Sequence, residues 1–396
     1  MYRKHRKLIF LSVTVLALAF LIWRLVRPLN IFVVTDNFAR PMAVTRVPTG
    51  LDSLRAADCG ECHKAIYKEW AASMHAHAWT DPYFQADRHF DGSQQICLNC
   101  HIPLQNQQPH LVEGFLDRER LKPVLRKNVN FDPALQQEGV TCAVCHVRNG
   151  VINSPYVSGR APHPSREDKS INEGMGICKK CHVVSGKRWD TFFRIPPCGT
   201  VAEIRAGSSG KGIHCIGCHM PLITRPLVQG GEPEPVHRHL WRGGHDPQMV
   251  RQAVKFNLGI NMKGGGAGAA RLTLTNTGTD HYLPTGTPDR YLSVTFTLQR
   301  RGVTVKKKIF QLKRTIMWRP FIVDLWDTRL IKGKPQSYKF SWSGGSGPGV
   351  ITVTVRYHLL AETRRRRIKY RNKKPLSYII FQRRTAIGAG SRQNHP

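Results

Sequence analysis

Acidic residues are scarce in this chain of 396 residues: 26 Asp and Glu stand against 60 Lys and Arg, a formal charge of +34. Long apolar runs are scarcer still. The single one, at the N-terminus, excludes a multi-span membrane protein. Glycine has no period, which excludes collagen, and no heptad pattern points to a coiled coil. Disorder is excluded by 41% hydrophobic and 22% charged residues. The shortage of acid is uneven. Residues 299–396 hold three acids against 24 bases, whereas residues 28–298 hold 23 against 30. A pI near 10.3 would ordinarily suggest nucleic acid. The nearly balanced middle, eleven cysteines and eighteen histidines point elsewhere.

What is present begins with a membrane signal. Arg3, Lys4, Arg6 and Lys7 precede an uncharged run from Leu8 to Trp23. Its length lies between a signal-peptide core and a comfortable spanning helix. No clear small-x-small cleavage site follows, which favours an uncleaved anchor over a removed signal peptide. In either case the basic head stays cytoplasmic and the remainder is exported.

Ten cysteines form one repeated pattern. It reads Cys59-Gly-Glu-Cys62-His63, Cys97-Leu-Asn-Cys100-His101, Cys142-Ala-Val-Cys145-His146, Cys178-Lys-Lys-Cys181-His182 and Cys215-Ile-Gly-Cys218-His219. Two thiols three residues apart can add to the two vinyl groups of one haem, and the adjoining histidine then reaches the iron. A zinc ribbon needs paired Cys-x-x-Cys sets but no histidine after each. A thioredoxin-like motif would occur once. The expected cofactors are therefore five covalent haem c groups with iron. Between about 50 and 245 the sequence shows little apolar periodicity, so the macrocycles would supply much of the interior.

A sixth iron position closed by histidine makes an electron carrier, and an open one can bind a small molecule. Ten histidines are candidates: His75, His77, His89, His110, His163, His214, His237, His239, His245 and His281. Residues 65–79 read as a helix, with Ile66, Trp70 and Met74 along one face. His75 and His77 then point about 200° apart, so at most one faces a given haem. His163 sits in a rigid Ala-Pro-His-Pro loop, and His245 lies just before a helix capped by Asp246 and begun by Pro247. Cys198, outside the motifs, reads as a buried thiol.

The stretches Glu138-Gly-Val-Thr-Cys-Ala-Val-Cys-His146, Ala161-Pro-His-Pro164, Cys215-Ile-Gly-Cys-His-Met-Pro221 and Gly243-Gly-His-Asp246 resemble the multihaem cytochromes of the nitrogen and sulfur cycles. That superfamily includes the tetrahaem partner cytochromes of hydroxylamine oxidation. The resemblance spans roughly residues 50–300. The Ser-x-His-Ala wording around His75 is similar to distal-ligand helices of that family, which favours His75 over His77. The preferred distal set is His75, His163, His239, His245 and His281. There are five motifs rather than four or eight, and none carries Lys in place of its His, as pentahaem nitrite reductases do. No tyrosine-crosslink signature of hydroxylamine oxidation is readable either, and the missing Lys and missing crosslink signature both lower the expectation of catalysis.

From about 268 the period changes to two. Leu292, Val294, Phe296 and Leu298 alternate with polar residues, as do Ile351, Val353, Val355 and Tyr357, leaving His358 on the polar side. The expected fold is an N-terminal membrane helix, a mainly α, loop-rich multihaem module, and a C-terminal antiparallel β-sandwich, immunoglobulin-like in layout. The expected parts are head and anchor or signal 1–27, linker 28–50, pentahaem module 51–260, sandwich 268–362 and basic tail 363–396. The tail run Arg364–Arg367 reads as a solvated face or as a contact for anionic lipid or an acidic redox partner, with no nucleic acid. The expected function is electron transfer between membrane and periplasmic redox proteins, from the outer side of a bacterial inner membrane. The alternatives are a soluble periplasmic protein after cleavage, and an oxidoreductase with one open haem acting on a small nitrogen or sulfur compound.

Overall fold

Residues 2–26, 39–116, 123–156, 159, 161–171, 173, 176–182, 199–207, 215–317, 323–345 and 348–387 are described by a computed structural model. Cys198 and His214 lie outside the described residues. The apolar N-terminal run forms α1 (Tyr2–Val26), in which His5–Ile22 is long and apolar enough to cross a membrane and is buried against nothing in the protein. Anchor and signal sequence both fit that helix.

The motif region is built of short helices joined by turns: α2 (Ala56–Cys62), α3 (Lys64–Ala71), α4 (Pro82–Phe90) and α5 (Gln95–His101). Asp81 starts α4 by accepting from the N–H groups of Tyr83 and Phe84, with Pro82 in the first turn. A hairpin, β1 (His110–Phe115) and β2 (Pro123–Lys127), leads to α6 (Pro133–Gln137) and α7 (Cys142–His146). Three short strands follow, β3 (Val147–Arg148), β4 (Val151–Ser154) and β5 (Ser165–Glu167). Then come α8 (Lys179–His182), α9 (Thr200–Gly207), α10 (Cys215–His219) and the hairpin β6 (Leu222–Pro226) with β7 (Pro233–His237). The aliphatic core here is small, with Met42, Val44, Leu54, Leu104, Leu135, Ala143, Val144 and Val147 as its buried members.

Two expectations shift. The helix over 65–79 stops at Ala71, and residues 72–80 are turns. The cause is tertiary. The His75 carbonyl accepts from Val140 N–H, and the Trp70 indole donates to the Val140 carbonyl. Gly139 makes this approach possible, since it has φ +61° and a Cβ there would lie 2.7 Å from the His75 oxygen. Part of the expected linker at 28–50 is packed rather than free: Met42 pairs with Leu104, and Ala39 and Val44 are buried.

After α11 (Pro247–Gln252), capped by Asp246 as its sequence predicts, the chain becomes antiparallel strands. They are β8 (Val254–Met262), β9 (Gly268–Asn276), β10 (Tyr291–Arg300), β11 (Val303–Met317), β12 (Val323–Asp327), β13 (Gln336–Trp342) and β14 (Gly349–His358), with β15 (Ser377–Ile387) after α12 (Glu362–Arg367). One sheet has the order β13-β9-β8 and the other β12-β11-β10-β14-β15. Alternate residues of both meet in one core that includes Leu272, Leu274, Leu292, Val294, Phe296, Phe340, Val353 and Val355. Each such side chain contributes about 1.5–3 kcal/mol by leaving water. Strand structure thus begins at Val254 and ends at Ile387, wider than 268–362. The tail run is solvated in part, with Arg366 and Arg367 exposed and Arg364 and Arg365 partly covered. Arg364 bonds Asp87 of α4 and Asp91 just beyond its end, Arg365 and Arg366 bond Glu362, and Arg367 lies over the Phe90 ring. The contacts of Arg364 and Arg367 fasten α12 to the motif region.

Candidate haem-binding site

Each Cys-x-x-Cys-His motif ends on a short helix. Its two cysteines are three residues apart and share a face, with the histidine at or beside the helix end. All ten motif cysteines and all five following histidines line one continuous cavity of about 3680 Å³. A pocket for one small molecule is about 300–1,000 Å³, so this cavity suits several large cofactors. Among the described residues, no three His, Cys, Asp or Glu side chains converge as a metal cluster, which is what zinc would require of these motifs.

The motifs sit close together. Cys59 and Cys142 are hydrogen-bonded through their thiols, as are Cys178 and Cys215, and Cys100 and Cys181. The first motif therefore adjoins the third, the second adjoins the fourth, and the fourth adjoins the fifth.

The motif histidines are held by the backbone. The Nδ1–H of His63 donates to Leu227 O at 3.2 Å, that of His101 to Ala78 O at 2.6 Å, that of His146 to Asn153 O at 2.8 Å and that of His219 to Arg242 O at 2.6 Å. This bond fixes the tautomer and leaves Nε2 as the free ligand atom. Burial lowers the basicity of His63, His146 and His182 and holds His101 down to about 4. The neutral imidazole is the form that binds a metal.

Three histidines from elsewhere stand opposite motif histidines. Ring centroids are 6.4 Å apart for His75 and His182, 6.3 Å for His239 and His146, and 6.4 Å for His281 and His219. Two metal–imidazole bonds of roughly 2 Å, with about 1 Å from each nitrogen to its ring centre, span about 6 Å. The spacing fits an iron between each pair. His163 also lines the cavity and lies near His63, whose basicity its charge lowers after burial has done so. Burial likewise holds His75 down to about 3, and His239 and His281 to about 4. His245 differs from the rest. It lines the cavity, but its Nε2 lies 3.4 Å from Arg290 Nη2. His101 is stacked by Phe84 at 3.5 Å, and among the described residues no histidine ring is paired with it.

The sequence did not disclose the side chains that hold these opposing histidines. Glu69, on α3, accepts from both Nη atoms of Arg225, from Arg238 Nε and from the backbone N–H of His239, all within 2.8–2.9 Å. Burial alone would raise its carboxyl, but these donors take it below the ordinary glutamate value. The resulting stability is complete above the pKa of an unfolded glutamate and fades as pH falls through the lowered value. Glu69→Gln should therefore cost about 2–4 kcal/mol in denaturant unfolding at neutral pH. The deficit should shrink in acid, and an unchanged midpoint at neutral pH would refute this role. His281 is held by a second buried group: its carbonyl accepts from Asn276, and the following Leu283 pairs with Leu330, next to Arg329.

Comparison with known proteins agrees with this geometry. Residues 58–147 match the family described as cytochrome c554 and c-prime. Among curated proteins, none matches the chain. A penta-heme cytochrome c552 from Thermochromatium tepidum has a similar structure, with a TM-score of 0.61 and 19% identity over 83% of this chain and 97% of that one. That likeness shows a shared fold. With the repeated motifs and their common cavity, these findings support reading the chain as a multihaem c-type cytochrome.

Proposed function

We propose that the protein carries electrons along five covalently attached haem c groups. The observation that carries this reading is the set of ring pairs 6.3–6.4 Å apart inside one cavity lined by all ten motif cysteines. Haem c, when bound, supplies a one-electron iron couple. The cysteines would hold it, with His63, His101, His146, His182 and His219 as its first iron ligands, and His163, His239, His75 and His281 would supply the second ligand at the first, third, fourth and fifth motifs. The thiol contacts between motifs support close neighbours in that chain. The carrier sits at the outer face of a bacterial inner membrane, held by α1, or is free in the periplasm if α1 is removed, and exchanges electrons with redox proteins there. The order of the two sheets supports an immunoglobulin-like layout for the strand domain.

The test is a haem count. Pyridine haemochrome and intact mass should give five haems per chain, and Cys142→Ala with Cys145→Ala should give four. A count below five in the parent protein would overturn the proposal.

A second reading has its own observation. Among the described residues no histidine ring is paired with His101, which supports one open haem, at the second motif, acting on a small nitrogen or sulfur compound.

A further inference from the structure

The outer face of the five-stranded sheet has no role in holding haem. Its outward phase carries Lys307, Lys313, Arg356 and Arg384, and the two acids of β12, Asp324 and Asp327, pair instead with the inward-phase residues Ile316 and Arg314. The inward residues of the strands fill the sandwich core, so the register fixes what points outward. Thr295 lies beside Ile309 and Thr354, Thr297 beside Lys307 and Thr352, and Thr352 beside Arg384. Trp326 of β12 lies beside Thr315 on the same face. Large apolar side chains stand in water here: Trp326 is 57% exposed, Ile309 53% and Val305 52%. The β10–β11 hairpin projects them through a tight turn at Arg301 and Gly302, both with positive φ.

We propose that this face lies against an anionic lipid bilayer. Three arguments select that occupant. Basic side chains among exposed tryptophan and aliphatic residues are the composition of a surface that settles into headgroups. An acidic redox protein would dock where it can exchange electrons with haem, yet among the described residues from 291 to 356 none lines the haem cavity. A second copy would set this acid-free face against its own like charge. The inference rests on the proposed membrane location, because α1 would bring the sheet within reach of headgroups.

The experiment uses the full holoprotein with vesicles of phosphatidylcholine alone, or of equal parts phosphatidylcholine and phosphatidylglycerol. Acetylation of Lys307 and Lys313, followed by mass spectrometry, should slow about fivefold on the mixed vesicles and recover at high salt. Lys307→Gln with Arg384→Gln should return Lys313 to its rate on phosphatidylcholine. Equal rates on both vesicles would overturn the proposal. So would protection by soluble polyglutamate but not by vesicles, which assigns the face to an acidic protein, or protection that grows with protein concentration without lipid, which assigns it to a second copy. Flotation with phosphatidylcholine vesicles tests the anchor separately. If it fails, binding to mixed vesicles at low salt still decides the role of the face.

Discussion

Arg329→Met is expected to destabilise the protein by about 3–5 kcal/mol in denaturant unfolding. Arg329 is 4% exposed and sits where α9 meets the strand domain. Its Nη1 donates to Glu203 at 2.6 Å and to the Pro284 carbonyl at 3.1 Å, while Nε and Nη2 hold Asp327. Methionine keeps the bulk but leaves Glu203, itself 1% exposed, without its cation. Burial already raises the Glu203 carboxyl, and the Arg329 charge is what opposes this. Without it Glu203 is expected to protonate on folding, so the penalty should be smaller in mild acid than at neutral pH. The same guanidinium fixes the segment after His281. If His281 is an axial ligand, the variant should also turn part of one low-spin haem signal high-spin. A purely structural role would lower the unfolding midpoint and leave the spectrum of the folded protein unchanged. Lysine would retain the charge without the planar fork and should recover only part of the loss.

The second large effect concerns His101. Resting-state electron paramagnetic resonance is expected to show four haems low-spin and one high-spin, with cyanide or nitric oxide binding to that one alone. Its site is the second motif, where Phe84 lies flat on His101. Five low-spin signals with no ligand binding would remove the open-haem reading and assign a sixth ligand to the second motif. Turnover of nitrite, hydroxylamine or sulfite together with the high-spin signal would make the protein an enzyme rather than a carrier.

Much of the site was legible because its chemistry is local. A Cys-x-x-Cys-His motif places thiols and imidazole within one helical turn whatever surrounds them. Strands β10 and β14 were equally plain, since alternation with period two survives in the sequence. The opposing histidines were harder. His75, His163, His239 and His281 lie far in sequence from the motif histidines they approach, and no spacing rule links them. His245 keeps its expected helix cap and lines the cavity, with its Nε2 3.4 Å from Arg290 Nη2. β15 was hidden because its basic residues resembled a continuing tail. The ion pairs of Arg364 were hidden because sequence cannot show Asp87 and Asp91 arriving from some 275 residues earlier. Glu69 carried no signal at all, being one glutamate on a short helix.

The wall of the cavity has a consequence for the order of events as the chain is made. Its five attachment motifs end at His219, yet His281, Leu283, Tyr357, Leu359 and Tyr378 also line it. Chains emerge N-terminus first. All ten motif cysteines are thus made before the strands that complete the enclosure. The strand domain emerges last and supplies the remaining wall.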